Sequence, residues 1–155
     1  MKLNDVAIDV DRSENGAWVG DISEMEGVRV KVRSSNNAEW RRMMSKLIDA
    51  VPRKKRLGGR LDPDEQDRIM SSCLLTCCLL DWDGLEDEHG QPIPYSKEMA
   101  KTMLTDPQYR RFRDAVVWAA SIVAENADNE KEEIAGNLLT LSSGSTAGER
   151  KSKAG

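Results

Sequence analysis

The sequence predicts an α+β fold that is mainly α-helical, with an N-terminal three-stranded antiparallel β-meander packed on a bundle of about four to five helices. Three patterns support this fold class. Residues 28–33 alternate valines with cations, as in a half-buried strand. Residues 38–51 and 107–125 repeat apolar side chains at spacings of three and four, as in amphipathic helices. Between them, residues 73–80 form the densest apolar run, which is typical of a buried central element.

The meander is predicted to occupy residues 5–33. Its strands cover residues 6–11, 17–22 and 28–33, and Asn15-Gly16 between the first two is a dipeptide typical of hairpin turns. A sheet of this size is not stable alone in water. We therefore expect its apolar face to be covered by the helices that follow.

Two groups of cations belong to this first half of the chain. Arg29, Lys31 and Arg33 lie opposite the valines of the third strand, and a basic loop runs from Arg53 to Arg60. Both groups can contact a nucleic-acid backbone. The alternative is a solvated outer face for the strand and, for the loop, cations favoured by the dipole of the preceding helix. The net negative charge of the whole chain favours this second interpretation.

Capping residues delimit the predicted helices. Asn37 lies in a polar segment that precedes the helix 38–50, and Asp62 with Pro63 precedes the central helix, predicted to span residues 63–81. Ser96 and the sequence Thr105-Asp106-Pro107 introduce two later helices, which end near residues 104 and 125. The predicted structural core comprises Trp40, Leu74, Cys77, Leu80, Trp82, Phe112, Val116 and Trp118.

The acidic segment 81–88 resembles a calcium-binding loop at first sight. It fails the EF-hand pattern, because Leu85 stands where the third ligand belongs and Pro92 stands in place of the bidentate glutamate. The single histidine, His89, lies beside a glycine in a polar turn. The sequence therefore predicts a structural loop, without a metal ion and without a catalytic base.

A weaker helix is predicted over residues 130–141, and residues 142–155 are predicted to be a flexible tail. The expected organisation is one globular domain, residues 1–141, in which the meander occupies 5–33 and the helical part 38–141. Segment 142–155 is rich in Ser, Gly, Ala and Lys and cannot bury enough apolar surface to order itself.

Composition narrows the class of protein. The chain has 155 residues and a net charge of −4, which makes nucleic acid an unexpected main partner. No run approaches the roughly 20 apolar residues of a membrane span, and the first residues lack the apolar region of a signal peptide. Three cysteines within one predicted helix are typical of a reducing compartment. We therefore expect a protein of the cytoplasm.

Recognisable catalytic chemistry is missing from the sequence. It contains no glycine-rich phosphate loop after a strand and no HExxH, CxxC or GxSxG motif. The acidic residues lie in helix caps and in a solvated turn, where a structural role accounts for them. The sequence thus predicts a protein that is not an enzyme and has no catalytic, cofactor-binding or metal site.

Four stretches together resemble the tail assembly chaperones of long-tailed bacteriophages and related prophages. The first is residues 16–22 followed by 28–33. The others are Leu79-Leu80-Asp81-Trp82-Asp83-Gly84-Leu85, residues 92–98 (Pro-Ile-Pro-Tyr-Ser-Lys-Glu), and residues 104–115 (Leu-Thr-Asp-Pro-Gln-Tyr-Arg-Arg-Phe-Arg-Asp-Ala). Their joint order carries the resemblance, which spans about residues 16–125.

The resemblance implies a protein that coats the tape measure protein before the tail tube forms, helps to recruit tail tube protein, and is absent from the mature virion. Its place of action is the cytoplasm of the host cell. Two alternatives stay open. One is another phage morphogenesis subunit, such as a head–tail connector or tube terminator. The other is a small nucleic-acid-binding regulatory module that uses the cations described above.

The predicted client surface is an apolar stripe on the last helix. It is available for a client or for self-association, and the alternative is ordinary packing of a terminal helix on the domain. The stripe consists of Ile134, Leu138, Leu139 and Leu141.

Overall fold

The computed structural model describes residues 1–7, 9–35 and 37–125. Within these residues a three-stranded antiparallel sheet packs with α-helices, which confirms the predicted α+β, mainly α fold class. The helices are α1 (Val10–Asn15), α2 (Ala38–Asp49), α3 (Pro63–Cys77), α4 (Lys97–Thr105) and α5 (residues 110–125). The strands are β1 (Ala17–Val19), β2 (Arg29–Val32), β3 (Arg56–Leu57), β4 (Arg60–Leu61) and β5 (Leu79–Asp83).

The three-stranded sheet has the order β1-β2-β5, with β2 in the centre. Val30 lies opposite Val19 on one side and Trp82 on the other, and Val32 lies opposite Ala17. Val30 and Val32 are fully buried. The valines predicted to form the apolar face of the strand therefore do so, beneath the helices.

The first predicted strand, residues 6–11, is wrong. A 3₁₀-helix covers Leu3–Val6, and α1 begins at Val10, capped by the Asp9 side chain, which accepts the N–H of Arg12 at 3.1 Å. Val10 is 60% exposed, so the alternation of valines here buries no common face. β5, from the middle of the chain, takes the third place in the sheet.

The central helix is shorter than predicted. It begins at Pro63 as expected but ends at Cys77, and the rest of the apolar run enters β5. Tertiary contacts at the break explain the change. Asn37 Nδ2 donates to the Cys77 carbonyl at 2.8 Å, and the N–H of Arg33 donates to the Cys78 carbonyl at 3.0 Å. Pairing with β2 therefore outweighs the local preference for helix.

Leu80 was predicted to lie in the core, and this is wrong because the side chain is 37% exposed. The pairing of β2 with β5 shifts register between Lys31 and Val32, so that Lys31 faces Asp81 while Val32 faces Leu79. Leu80 is the extra residue of this β-bulge. Its side chain lies over Gly16, where an added Cβ would be 2.7 Å from Leu80 Cδ1.

Trp82 joins the sheet to the helices and to the loop after β5. It is 4% exposed, and its ring makes edge-to-face contacts with Tyr95 and Phe112. Its Nε1–H donates to the Ile93 carbonyl at 2.8 Å, which holds the loop on the core. The other predicted core residues that are buried are Trp40, Leu74, Cys77, Phe112 and Val116.

Candidate functional site

An apolar groove lies between the turn that connects β1 to β2 and the first half of α5. Its volume is about 350 Å³. The turn contributes Ile22 and Met25, and the helix contributes Ala115 and Trp118. Ile22 and Ala115 belong to the buried core, so the floor of the groove is continuous with it.

The turn that forms one wall has an unusual backbone. Asp21 and Glu24 both adopt positive φ, of 50° and 64°, which residues other than glycine rarely do. Two backbone hydrogen bonds hold the turn, from Met25 N–H to the Ile22 carbonyl and from Val28 N–H to the Met25 carbonyl. Conformations of this kind persist where the surrounding structure fixes them, and they occur often at binding sites.

Trp118 forms the other wall, and its placement corrects the prediction that it is a core residue. It is 42% exposed, and its neighbour Val117 is 38% exposed. The buried side of α5 is centred near Val116. Each helical residue advances by about 100°, which turns Trp118 to the opposite side of the helix from Val116. A large indole thus faces solvent beside an open apolar groove.

The rim of the groove is acidic. Asp21, Glu24 and Asp114 contribute three carboxylates, while Arg111 contributes one cation. The Arg111 Nη1 atom lies 3.9 Å from Glu24 Oε2, and both side chains are mostly exposed. An apolar floor, an aromatic wall and a rim with excess negative charge suit an amphipathic helix whose apolar stripe is flanked by cations.

Two of the three cations predicted to lie opposite the valines, Arg29 and Arg33, form ion pairs within the molecule. Arg29 contacts Asp83 at 3.1 Å and stacks over the ring of Trp18 at 4.6 Å. Arg33 is bound by Glu14 at 3.1 Å and by Glu39 at 2.6 Å. Arg29 and Arg33 therefore have partners within the molecule, while the choice between a solvated face and a nucleic-acid surface stays a prediction.

A second cleft, of about 560 Å³, separates α3 from α4 and the start of α5. Its walls are cross-linked: Arg113 contacts Asp67 at 3.0 Å, and the Ser71 hydroxyl donates to the Leu104 carbonyl at 2.8 Å. Cations and carboxylates are mixed along it. These two contacts join α3 to α5 and to α4 across the cleft.

The cysteines are buried core residues. Burial raises the pKa of Cys73 to about 11 and that of Cys78 to about 12. The Cys78 thiol also donates to the Arg33 carbonyl at 3.2 Å. Thiols in this state are poor nucleophiles near neutral pH.

Among the described residues, no group of three or more His, Cys, Asp or Glu side chains is arranged to hold a metal ion. In the same part of the chain, no helix has the length and apolar character needed to cross a membrane.

The predicted client stripe, Ile134, Leu138, Leu139 and Leu141, lies outside the described residues, as do the predicted helix 130–141 and tail 142–155. The groove at Trp118 was not predicted. Its signal in the sequence is the position of Trp118 two residues after Val116, which takes it away from the buried stripe.

A family model described as YdaY prophage protein matches residues 35–137. No curated protein and no solved structure gives a significant match to the chain. The family match covers more than half of the sequence and includes α2 to α5. The chain is therefore a phage-derived protein that belongs to the YdaY prophage protein family.

Proposed function

We propose that this prophage protein is a tail assembly chaperone, which holds apolar helical segments of the tape measure protein in the host cytoplasm until the tail tube forms. It then leaves, displaced by tube subunits that it helps to recruit, and is absent from the mature virion. The observation that carries the proposal is the exposed indole of Trp118 beside the groove. The prophage family and the resemblance to tail assembly chaperones support the choice of client.

Burial of the indole supplies the affinity. A tryptophan buries about 150–250 Å² when it is fully covered, and a large share of Trp118 is still open to solvent. Exposed aromatic side chains beside apolar pockets are frequent hot spots, where truncation costs about 2 kcal/mol or more of binding free energy.

The charges of the rim supply selectivity. Asp21, Glu24 and Asp114 repel segments with acidic flanks and favour segments with Lys or Arg beside the apolar stripe. Because these carboxylates are exposed, their contribution falls as ionic strength rises. Binding by this mode involves no bond formation and needs no catalytic group.

The test uses two tryptophans that are exposed to similar extents on different surfaces. Trp118→Asp places a charge on the groove, whereas Trp18→Asp changes the outer face of the sheet, where Trp18 is 38% exposed. Helical fragments of the tape measure protein from the same prophage are titrated against each variant. We expect Trp118→Asp to weaken binding by at least about 30-fold and Trp18→Asp to leave it within about threefold.

Circular dichroism and urea denaturation check that both variants keep the fold. If folded Trp118→Asp binds the fragments as tightly as the wild type, the groove is not the client site. If no fragment binds the wild-type protein at micromolar concentration, the chaperone assignment itself is wrong.

A further inference from the structure

Positive charge is concentrated in one part of this acidic protein. Residues 38–61, which include α2 and the β3–β4 hairpin, contain eight Lys or Arg and two acidic residues, a net charge of +6. The rest of the chain therefore carries −10. A separation of this size creates a strong local field even though the average charge is negative.

Six of the eight cations are exposed and form no ion pair with any described residue. The remaining two have structural roles: Lys55 contacts Glu65 at 3.1 Å, and Arg56 donates to the carbonyls of Ile48 and Val51. The contacts of Arg56 hold the hairpin against the last turn of α2. We call the six free cations the basic face: Arg41, Arg42, Lys46, Arg53, Lys54 and Arg60.

The loop after β5 has the opposite charge. Glu86, Asp87 and Glu88 are exposed, and none of them contacts a Lys or Arg among the described residues. The loop is nevertheless well held. Asp87 Oδ1 accepts the N–H groups of His89 and Gln91, and the Ile93 N–H donates to the Leu85 carbonyl at 2.8 Å. We call residues 86–88 the acidic loop.

We propose that the basic face of one copy of this chain docks against the acidic loop of a second copy. No described ion pair joins the two surfaces within one molecule, so both stay available to a neighbour. Apolar contacts complement the charges, because Leu57 is 71% exposed at the hairpin tip while Pro92 and Pro94 are exposed beside the acidic loop.

Two different surfaces of the chain meet, and each copy has one of each. Two copies can make both contacts about a two-fold axis and stop at a dimer, or each contact can join a further copy and extend the assembly. The groove at Trp118 shares no residue with either surface. The inference therefore does not depend on the proposed client.

A nucleic-acid duplex is the competing occupant of the basic face. The negative charge of the rest of the molecule opposes its approach. A second copy, in contrast, presents the acidic loop, which is fixed by hydrogen bonds and has exposed prolines beside it.

The experiment measures the mass of the particles formed by the full chain, by sedimentation at about 0.1 M and about 1 M salt. Between these two conditions the Debye length falls from roughly 10 Å to roughly 3 Å. At low salt we expect the mass to rise with concentration above the 17.3 kDa of one chain. At high salt we expect association to weaken by at least about tenfold.

Two neutralised variants identify the surfaces. Arg53→Gln with Lys54→Gln removes charge from the basic face, and Glu86→Gln with Glu88→Gln removes it from the acidic loop. Each variant alone is expected to be monomeric. Mixed together they are expected to form a one-to-one complex that does not extend, because each retains the surface that the other lacks. The matched control for the basic-face variant is Lys101→Gln with Arg110→Gln, which also removes two positive charges and should associate like the wild type.

Three results overturn the inference: a wild-type mass that stays at one chain at every concentration, variants that associate like the wild type, or a mixture that forms no complex. In a parallel arm, duplex DNA and duplex RNA are added to wild-type protein. Duplex binding that is lost in the basic-face variant, by a protein that remains monomeric, assigns the basic face to nucleic acid and rejects the second copy.

Discussion

Gly84 shows how a single residue fixes the relation between two loops. It follows β5 with φ of +87°, and an added Cβ would lie 2.0 Å from the carbonyl oxygen of Gly27. No side chain fits at this distance, so the loop after β5 packs directly on the turn before β2. Gly90 lies six residues later in the same loop. It also has positive φ, but no atom is within 4 Å of an added Cβ.

Alanine substitutions at Gly84 and Gly90 distinguish the cost of backbone strain from the cost of a steric collision. We predict that Gly90→Ala costs about 1 kcal/mol of unfolding free energy, because only the left-handed backbone disfavours alanine. Gly84→Ala should cost at least about 3 kcal/mol, because the collision with Gly27 is added. Urea denaturation of both variants measures the difference. Equal losses would mean that the contact with Gly27 does not constrain the fold.

At this scale, the sequence predicted burial well where a residue lies near the centre of an apolar stripe. Trp40, Phe112 and Val116 are such residues, and they are buried. Leu80 and Trp118 are not, for two different reasons. The bulge that exposes Leu80 depends on pairing with a distant strand, which no local pattern reveals. The exposure of Trp118 follows from its angular position, so helical geometry alone was sufficient to predict it.

Among the secondary-structure elements, α2 and α3 are connected by the side chain of Asn37. Its Oδ1 atom accepts the Trp40 N–H at 2.8 Å and caps α2, as predicted, while its Nδ2 atom donates to the Cys77 carbonyl at the end of α3. The side chain is fully buried. One residue therefore satisfies a helix start and a helix end in the core, where water is excluded.

We predict that Asn37→Ala costs about 3 kcal/mol, since it removes a cap and leaves the buried Cys77 carbonyl without this donor. The comparison is Ser96→Ala, which removes a cap of similar geometry from α4 at an exposed position and should cost about 1 kcal/mol. Thermal or urea unfolding of both proteins gives the values. If the two losses are the same, the bond to Cys77 contributes nothing.

Glu65, in the first turn of α3, contacts Lys55, the residue before the β3–β4 hairpin, and makes the fold sensitive to acid. Its carboxylate accepts hydrogen bonds from Arg68 and Lys55, and these contacts lower the pKa of Glu65 below its ordinary value of 4.5. A carboxylate with a lowered pKa stabilises the folded state above the ordinary value, and the contribution is lost as pH falls through the folded-state pKa.

We predict that the stability difference between wild type and Glu65→Gln is constant from about pH 7 to about pH 5 and then shrinks below pH 4.5. Denaturation curves at a series of pH values measure it. A difference that grows on acidification would mean that the ion pairs of Glu65 do not stabilise the hairpin.

The elements themselves were predicted unevenly. Helices with capping residues and regular apolar spacing, such as α2 and α4, have nearly the predicted bounds. The apolar run 73–80 was assigned to one helix because its local pattern is compatible with helix throughout. The structure divides it between α3 and β5, since the edge of β2 needs a partner and residues 79–83 provide it. The pattern of neighbouring residues does not show which distant strand a segment pairs with.

The whole molecule combines an apolar groove, an acidic loop and a basic face on separate residues. The net charge of −4 belongs to a chain that contains a segment of +6, residues 38–61. Function was predicted to the level of phage origin, which the family match establishes. The more specific role as a tail assembly chaperone is our proposal, and it depends on the temporary presence of this protein during assembly.

The most direct measurement of that role is quantitative mass spectrometry of an induced prophage lysate and of the particles purified from it, with the tail tube protein as internal reference. The proposal predicts that this protein is abundant in the lysate during assembly and is depleted from purified particles by at least about 100-fold relative to the tube protein. Recovery in a fixed ratio to the tube protein or to the connector would contradict it and identify a structural subunit of the virion.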